Sequence, residues 1–377
     1  MNYITNSDTI IFNSEFNEKL DTELISGFKK LIFSDYELNE NLFEYYANNN
    51  FDGSEYKENK FNQNVSNLPK CLTHLIFGHW FNKDVSVLPN GITHLTFGHD
   101  FNQDVYTLPP TLTHLTFGEY FNKDVSKLPP FLTNLIFNYW FNRDVSVLPH
   151  NLIHLTFGYQ FNQDVSVLPN GLTHLIFGYN FNQDVSVLPN GITHLTFGSE
   201  FNQDVSVLPP TLTHLTFDYH FNQDVSNLPP TLTHLTFGYE FNQDVSKLPQ
   251  RITHLTFGWN FNQQYNIPPN IKYLKLDCNN SHIINFLPNS ISELELDWNF
   301  NLQMDNLPTS IKILRIDKYS DYDMDLNCLP DFIEELHLNI NYKKRILNIP
   351  QNLKKIVCHK DYPYIDYFLN CNVKIYQ

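Results

Sequence analysis

The sequence predicts a β-rich parallel solenoid, with one short strand in each coil, an extended back and no regular helices in the repeats. Three observations carry this. A twenty-residue unit recurs almost unchanged, as in Phe161–Asn180 (FNQDVSVLPNGLTHLIFGYN) and Phe181–Glu200 (FNQDVSVLPNGITHLTFGSE), and Phe-Asn returns every twenty residues from 61 to 261. Each unit is too small to bury a hydrophobic face alone, so copies must stack. Each unit also has a short apolar alternation too brief for a helix, and a proline that forces the chain behind it to be extended.

The coil from Pro209 to Leu228 illustrates the elements in order. Leu212, Leu215 and Phe217, with Thr and His between them, read as a strand. One strand per coil, always in the same direction, stacks into a parallel sheet at roughly 4.8 Å per step. The next column is Gly in eight of ten copies, with Asn138 and Asp218 as exceptions. Because Gly, Asn and Asp tolerate φ > 0, a left-handed turn is expected there. Phe221, Val225 and Leu228 then re-enter the core, and Pro229 holds Leu228 extended. Six apolar columns result, and burying each Phe or Leu is worth roughly 1.5–3 kcal/mol. The Asn62 to Asn262 column is expected to be a ladder whose amides bond turn backbone in neighbouring coils.

Beyond the regular array the pattern wears but persists. Leu287-Pro288, Leu307-Pro308 and Leu329-Pro330 lead into strand-like stretches, and Leu24–Phe33 aligns with the strand region at the other end. The chain therefore divides into 1–60, divergent N-terminal repeats and a capping segment with an acidic loop; 61–270, the regular array; and 271–377, degenerate repeats and a C-terminal cap. About seventeen coils are expected, roughly 80 Å of stacking. The insertion Glu40–Lys60, with NNN in its middle, is expected to be a surface loop. Divergent ends suit capping, since a terminal coil must not recruit another copy.

The formal charge is −16, and no segment is basic: Lys/Arg against Asp/Glu number five to twelve over 1–60, seven to fourteen over 61–260 and twelve to fourteen over 261–377. This argues against nucleic acid and against a polybasic membrane contact. Five scattered cysteines (Cys71, Cys278, Cys328, Cys358, Cys371) with no CxxC pair suit a reducing compartment. The N-terminus has neither a basic region nor a long apolar run, so no signal peptide is expected, and no stretch approaches a membrane span.

The pairing of LPxxLxxLxFG with FNQ in tandem resembles the FNIP repeat, a member of the leucine-rich-repeat group known mainly from social amoebae and from giant viruses that infect them. The resemblance is strong over 61–270 and weak in the flanks. It implies a leucine-rich-repeat-like solenoid, a protein-interaction module and a cytoplasmic location, host-cell cytoplasm if the chain is viral. The usual turn Asn falls on a variable column here, as at His220, with an Asn two places later. Some relatives carry an N-terminal F-box; the first sixty residues here show no such opening.

Candidate chemistry divides by column. His74, His94, His114, His154, His174, His194, His214, His234 and His254, with Asn134 as the gap, alternate onto the outer, concave face of the sheet beside Thr or Ile. Nine imidazoles in a row suggest metal binding or pH sensing. Against metal, a row offers two ligands per ion and no third-ligand column, so a duplicated solvent-facing ladder is the simpler reading. Protonation near pH 6 is expected to destabilise it. The Asp84 to Asp244 column reads as turn-bonding or solvated carboxylates. Thr213 and Thr216 suggest an ice-binding array, but a spacing of three keeps them off one flat face. No nucleophile elbow, phosphate loop or HExxH is present, and catalysis needs singular residues where this chain repeats everything. No enzyme, cofactor or metal centre is expected.

One two-residue column after the turn varies freely. It includes Trp80, Asp100, Glu119, Tyr120, Tyr139, Trp140, Tyr159, Tyr179, Glu200, Tyr219, Tyr239, Glu240 and Trp259. Tyr and Trp are hot-spot residue types, although turn residues drifting after duplication would also vary. The expected function is a non-enzymatic scaffold that presents the His/Thr face and this rim to a cellular or host protein. Carbohydrate binding by the rim, or antagonism of F-box relatives, are the alternatives.

Overall fold

The structure, a computed structural model, describes residues 2–39, 41–48, 55–368 and 372–376. It comprises two compact units, Met1–Ile192 and Thr193–Gln377. In the first, β1 (Tyr3–Thr5) pairs antiparallel with β2 (Thr9–Phe12), which pairs in parallel with β3 (Lys30–Phe33). Three-residue strands then follow in parallel, from His74–Ile76 to His174–Ile176, each residue beside its counterpart twenty positions on, as in His74↔His94 and Leu75↔Leu95. The second unit continues the pattern from His194–Thr196 to His254–Phe257. Four-residue strands, Tyr273–Leu276, Glu293–Leu296 and Ile313–Ile316, succeed them, all parallel. The chain is thus a parallel, leucine-rich-repeat-like β-solenoid with one short strand per coil.

All six apolar columns are buried. The two Phe columns interleave: Phe77 lies 3.6 Å from Phe81 within its coil and 5.8 Å from Phe97 in the next. Behind the sheet, the Asn ladder forms as expected, with Asn82 N–H donating to Asn62 Oδ1 at 3.1 Å and Asn102 N–H to Asn82 Oδ1 at 3.0 Å. Gln103 Nε2 donates to the same Asn82 oxygen at 2.8 Å. The Asp column is turn-bonding: Asp84 accepts from Ser86 N–H at 2.9 Å and from its hydroxyl at 2.7 Å. These bonds hold Asp84 below the usual carboxylate range.

The glycine column needs a different explanation from the one the sequence suggests. Among the described glycines only Gly27 has positive φ, at 90°. At Gly98 and Gly118 the constraint is close approach, since a Cβ there would overlap the carbonyl of the glycine one coil before. Turn backbones nest directly on one another. Where Asn138 interrupts the column, its side-chain amide donates to Phe117 O at 2.8 Å.

In its described residues the insertion is more than a surface loop. Helix α2 (Leu42–Asn48) lies within it, and buried Leu42 packs on Ile11 and Ile32 with Tyr45 and Tyr46 alongside. Leu42, Tyr45 and Tyr46 stand at the i, i+3, i+4 spacing of one helix face. Glu40 and 49–54, which hold most of the Asn run, lie outside the described residues. Two further short helices sit in divergent coils: α1 (Thr22–Ile25), capped by Asp21, and α3 (Ser281–Asn285), capped by Asn280. Cys71 and Cys328 are exposed free thiols and Cys278 and Cys358 buried ones; Cys371 is not among the described residues.

Candidate functional site

Two adjoining surfaces carry the side chains that the sequence singled out. On the sheet face the ladder histidines are mostly half-buried, and their rings stack from coil to coil. His94 lies 4.2 Å from both His74 and His114, and His234 lies 4.0 Å from both His214 and His254. His154 and His174 stack more loosely, at 4.4 Å and 30°. Each ring except that of His154, which follows Ile153, is oriented by the threonine before it. Thr93 Oγ1 donates to Thr73 O at 3.2 Å and meets His94 Nδ1 at 2.9 Å. A hydroxyl has one proton, so with that proton on the carbonyl the imidazole Nδ1–H donates to Oγ1 and Nε2 is left as an outward acceptor. Burial, then the neighbouring imidazoles, pulls His94 and His234 down to about 4, and burial lowers His74, His114 and His254. These five imidazoles are therefore neutral at pH 7. Among the described residues no ladder histidine belongs to a cluster of three metal-ligating side chains.

The rim lies one turn further on. Its side chains vary, but its backbone is locked: Trp140 N–H donates to Glu119 O at 2.9 Å, Gln160 to Tyr139 at 2.9 Å and Asn180 to Tyr159 at 2.9 Å. In the first unit Tyr159 sits between Tyr139 (4.6 Å) and Tyr179 (4.5 Å), and Tyr120 stacks on Trp140 at 6.4 Å. In the second, Tyr239 sits between Tyr219 (4.6 Å) and Trp259 (5.6 Å). Rings stacked along the coil axis cover each other's faces and turn their edges outward. Trp80, Tyr120 and Trp140 are 44–47% exposed, enough to meet a partner.

Histidines accompany the rim acids. His220 lies 3.7 Å from Glu200 and 3.1 Å from Glu240. His99 lies 2.7 Å from Asp100 and 3.3 Å from Glu119. Column-by-column reading missed two features. Glu58, from the insertion, accepts a bond from Trp80 Nε1 at 2.9 Å. In the second unit a groove of about 490 Å³ runs from Thr216 and Thr236 past Tyr239 to Lys275 and Asp297. Lys275 Nζ there bonds Asp297 at 2.8 Å and Glu295 at 3.0 Å. The shortened period beyond Phe257 was the available signal, since it sets a lysine beside the last regular threonine.

Among the described residues no helix is long and apolar enough to cross a membrane. No curated protein matches the chain in sequence. The structure is similar to that of CroV588, a circular LRR protein from a giant virus, at 31% identity and a TM-score of 0.63, over 95% of this chain and 67% of that one. YopM from Yersinia enterocolitica aligns at 18% identity and a TM-score of 0.44, over 79% of this chain and 77% of its own. The FNIP repeat matches in overlapping segments running from 61–100 to 279–319. With the repeat tiling well over half the sequence and the coil geometry in agreement, the chain belongs to the FNIP-repeat family.

Proposed function

We propose that the protein is a non-enzymatic scaffold that binds another protein, cellular or host, through the aromatic rim and the adjoining His/Thr face. One observation carries this: the two-residue column that varies most from coil to coil, and is richest in Tyr and Trp, has a backbone pinned by coil-to-coil hydrogen bonds. Variable side chains on a fixed backbone need little ordering on binding, and Tyr and Trp are the residues that dominate interface energies. Leucine-rich-repeat-like scaffolds of this family and fold are suited to the role. The scattered, odd-numbered cysteines support the cytoplasm as its compartment.

Carbohydrate recognition is less well supported. Sugars stack on ring faces, whereas Tyr159 and Tyr239 each have both faces covered by neighbours. The test is affinity capture from amoebal lysate with wild-type protein and with Tyr139, Trp140, Tyr159 and Tyr179 all changed to Ser. The variant is expected to keep its circular dichroism spectrum and lose specific captured proteins. An unchanged captured set would sink the reading.

A further inference from the structure

The rim of the first unit holds one cluster that repetition does not explain. In the first rim position histidine stands at only two places, His79 and His99, in consecutive coils. Their rings stack 4.1 Å apart. Asp100 Oδ1 lies 2.7 Å from His99 Nδ1 and 4.0 Å from His79 Nε2. One donor atom from each of the three residues lies within 4.8 Å of the other two.

Each imidazole has its other nitrogen engaged on the outside. His79 Nδ1 meets the Tyr56 hydroxyl at 2.9 Å, and His99 Nε2 lies 3.3 Å from Glu119 Oε2. Metal-binding histidines are commonly held this way, an outer partner fixing the tautomer and turning the inner lone pair towards the ion. Glu58 Oε1, 4.0 Å from His79 Nε2, supplies a further oxygen. The main chain beneath is fixed as well: His79 N–H donates to Asp35 at 2.8 Å and Asp100 N–H to His79 O at 2.9 Å.

We propose that His79 Nε2, His99 Nδ1 and the Asp100 carboxylate form a binding site for a divalent transition-metal ion of the Zn²⁺ class, with Glu58 or water as fourth ligand. Two imidazole nitrogens and one carboxylate suit Zn²⁺ and its neighbours, whereas Ca²⁺ and Mg²⁺ take oxygen donors. Bonds of about 2.0–2.1 Å place tetrahedral donors roughly 3.3 Å apart. His79 Nε2 therefore moves in by several tenths of an ångström, Asp100 draws back from His99 by a similar amount, and the stacked rings tilt together at their donor edges. Closing this way, the ion ties two consecutive coils to each other at their rims.

The test titrates the full-length, chelator-stripped protein with ZnCl₂ by calorimetry, and with Co²⁺ by visible absorption. One ion per chain is expected, with the absorption of four-coordinate cobalt. His99→Gln and Asp100→Asn should each weaken binding at least about 100-fold, and Tyr56→Phe, which acts only by orienting His79, by roughly 10–100-fold. His114→Gln, in the sheet-face ladder, should leave it unchanged, and circular dichroism reports whether each variant is folded. Absence of saturable one-to-one binding, full binding by folded His99→Gln, or equal loss in His114→Gln would each overturn the proposal.

Discussion

Within the second unit one parallel ladder carries two kinds of coil, and they use their outward faces differently. From His194 to Thr256 the strand positions facing outward repeat the same residues, so imidazole stacks on imidazole and threonine on threonine. From Tyr273 onward they alternate in sign: Lys275 bonds Glu295, Arg315 pairs with Glu293, and Lys355 meets Glu335 at 2.8 Å. Parallel register sets each residue beside its copy, so a duplicated coil always places like on like. Copied lysines or glutamates would sit at roughly strand spacing and repel. A newly copied face is thus limited to residues that tolerate their own kind, such as neutral His, Thr and Tyr. The turn column differs in parallel. Gly258 gives way to Asp277, Asp297 and Asp317, and the strands lengthen from three residues to four.

The contrast can be broken experimentally at each point. The largest effect is expected at the nested turns. Gly118→Ala should cost about 1–3 kcal/mol through overpacking, read as a lower urea midpoint. An unchanged midpoint would remove the close-approach account of the column.

Next comes pH. Unfolded imidazoles titrate near 6.5 and folded His94 and His234 near 4, so between those values the unfolded chain binds more protons. Stability should be full above pH 6.5, fall as pH drops from 6.5 to 4, and level off below. Discounted for solvent reaching each ring, the loss is about 1 kcal/mol per histidine. Replacing both with Asn, the residue already found at 134, should make the fall shallower, leaving the share due to His74, His114 and His254; a wild-type midpoint that is flat from pH 7.5 to 4.5 would count against neutral, half-buried rings.

The smallest effect belongs to the alternating charges. Lys275→Met should shift stability by about 1 kcal/mol or less and reduce its salt dependence. An equal salt dependence in wild type and variant would show that the network contributes nothing measurable.

Much of this was legible in the sequence because repetition averages out local ambiguity. Ten copies of one strand leave no doubt about Leu215 or Phe217 facing inward, and the Asn62–Asn82 bond follows from a polar column as invariant as the core. The glycine column misled because glycine itself is compatible with two causes, and Asn138 and Asp218 pointed to the wrong one. Positive φ and close backbone approach both favour glycine, and only coordinates separate them. Helix α2 was hidden for a different reason: Leu42, Tyr45 and Tyr46 have helical spacing, but acids and asparagines around them mask it. The His79–His99–Asp100 cluster was missed because the rim was read as a set of unrelated side chains. Its signal was present, two histidines one period apart with an acid next to the second.

The asparagine ladder has a consequence for heredity. Each Asn accepts a bond from its successor one period on, so a whole extra coil copied into the gene inherits a donor above and an acceptor below. A partial copy breaks that chain of bonds and every column with it. Recombination inside the regular array is therefore filtered in units of twenty codons, and drift in length lies at and beyond its ends, where the 45-residue step from Asn17 to Asn62 still carries the bond. The 19-residue step from His254 to Tyr273 and the 22-residue step from Ile313 to Glu335 both fall there.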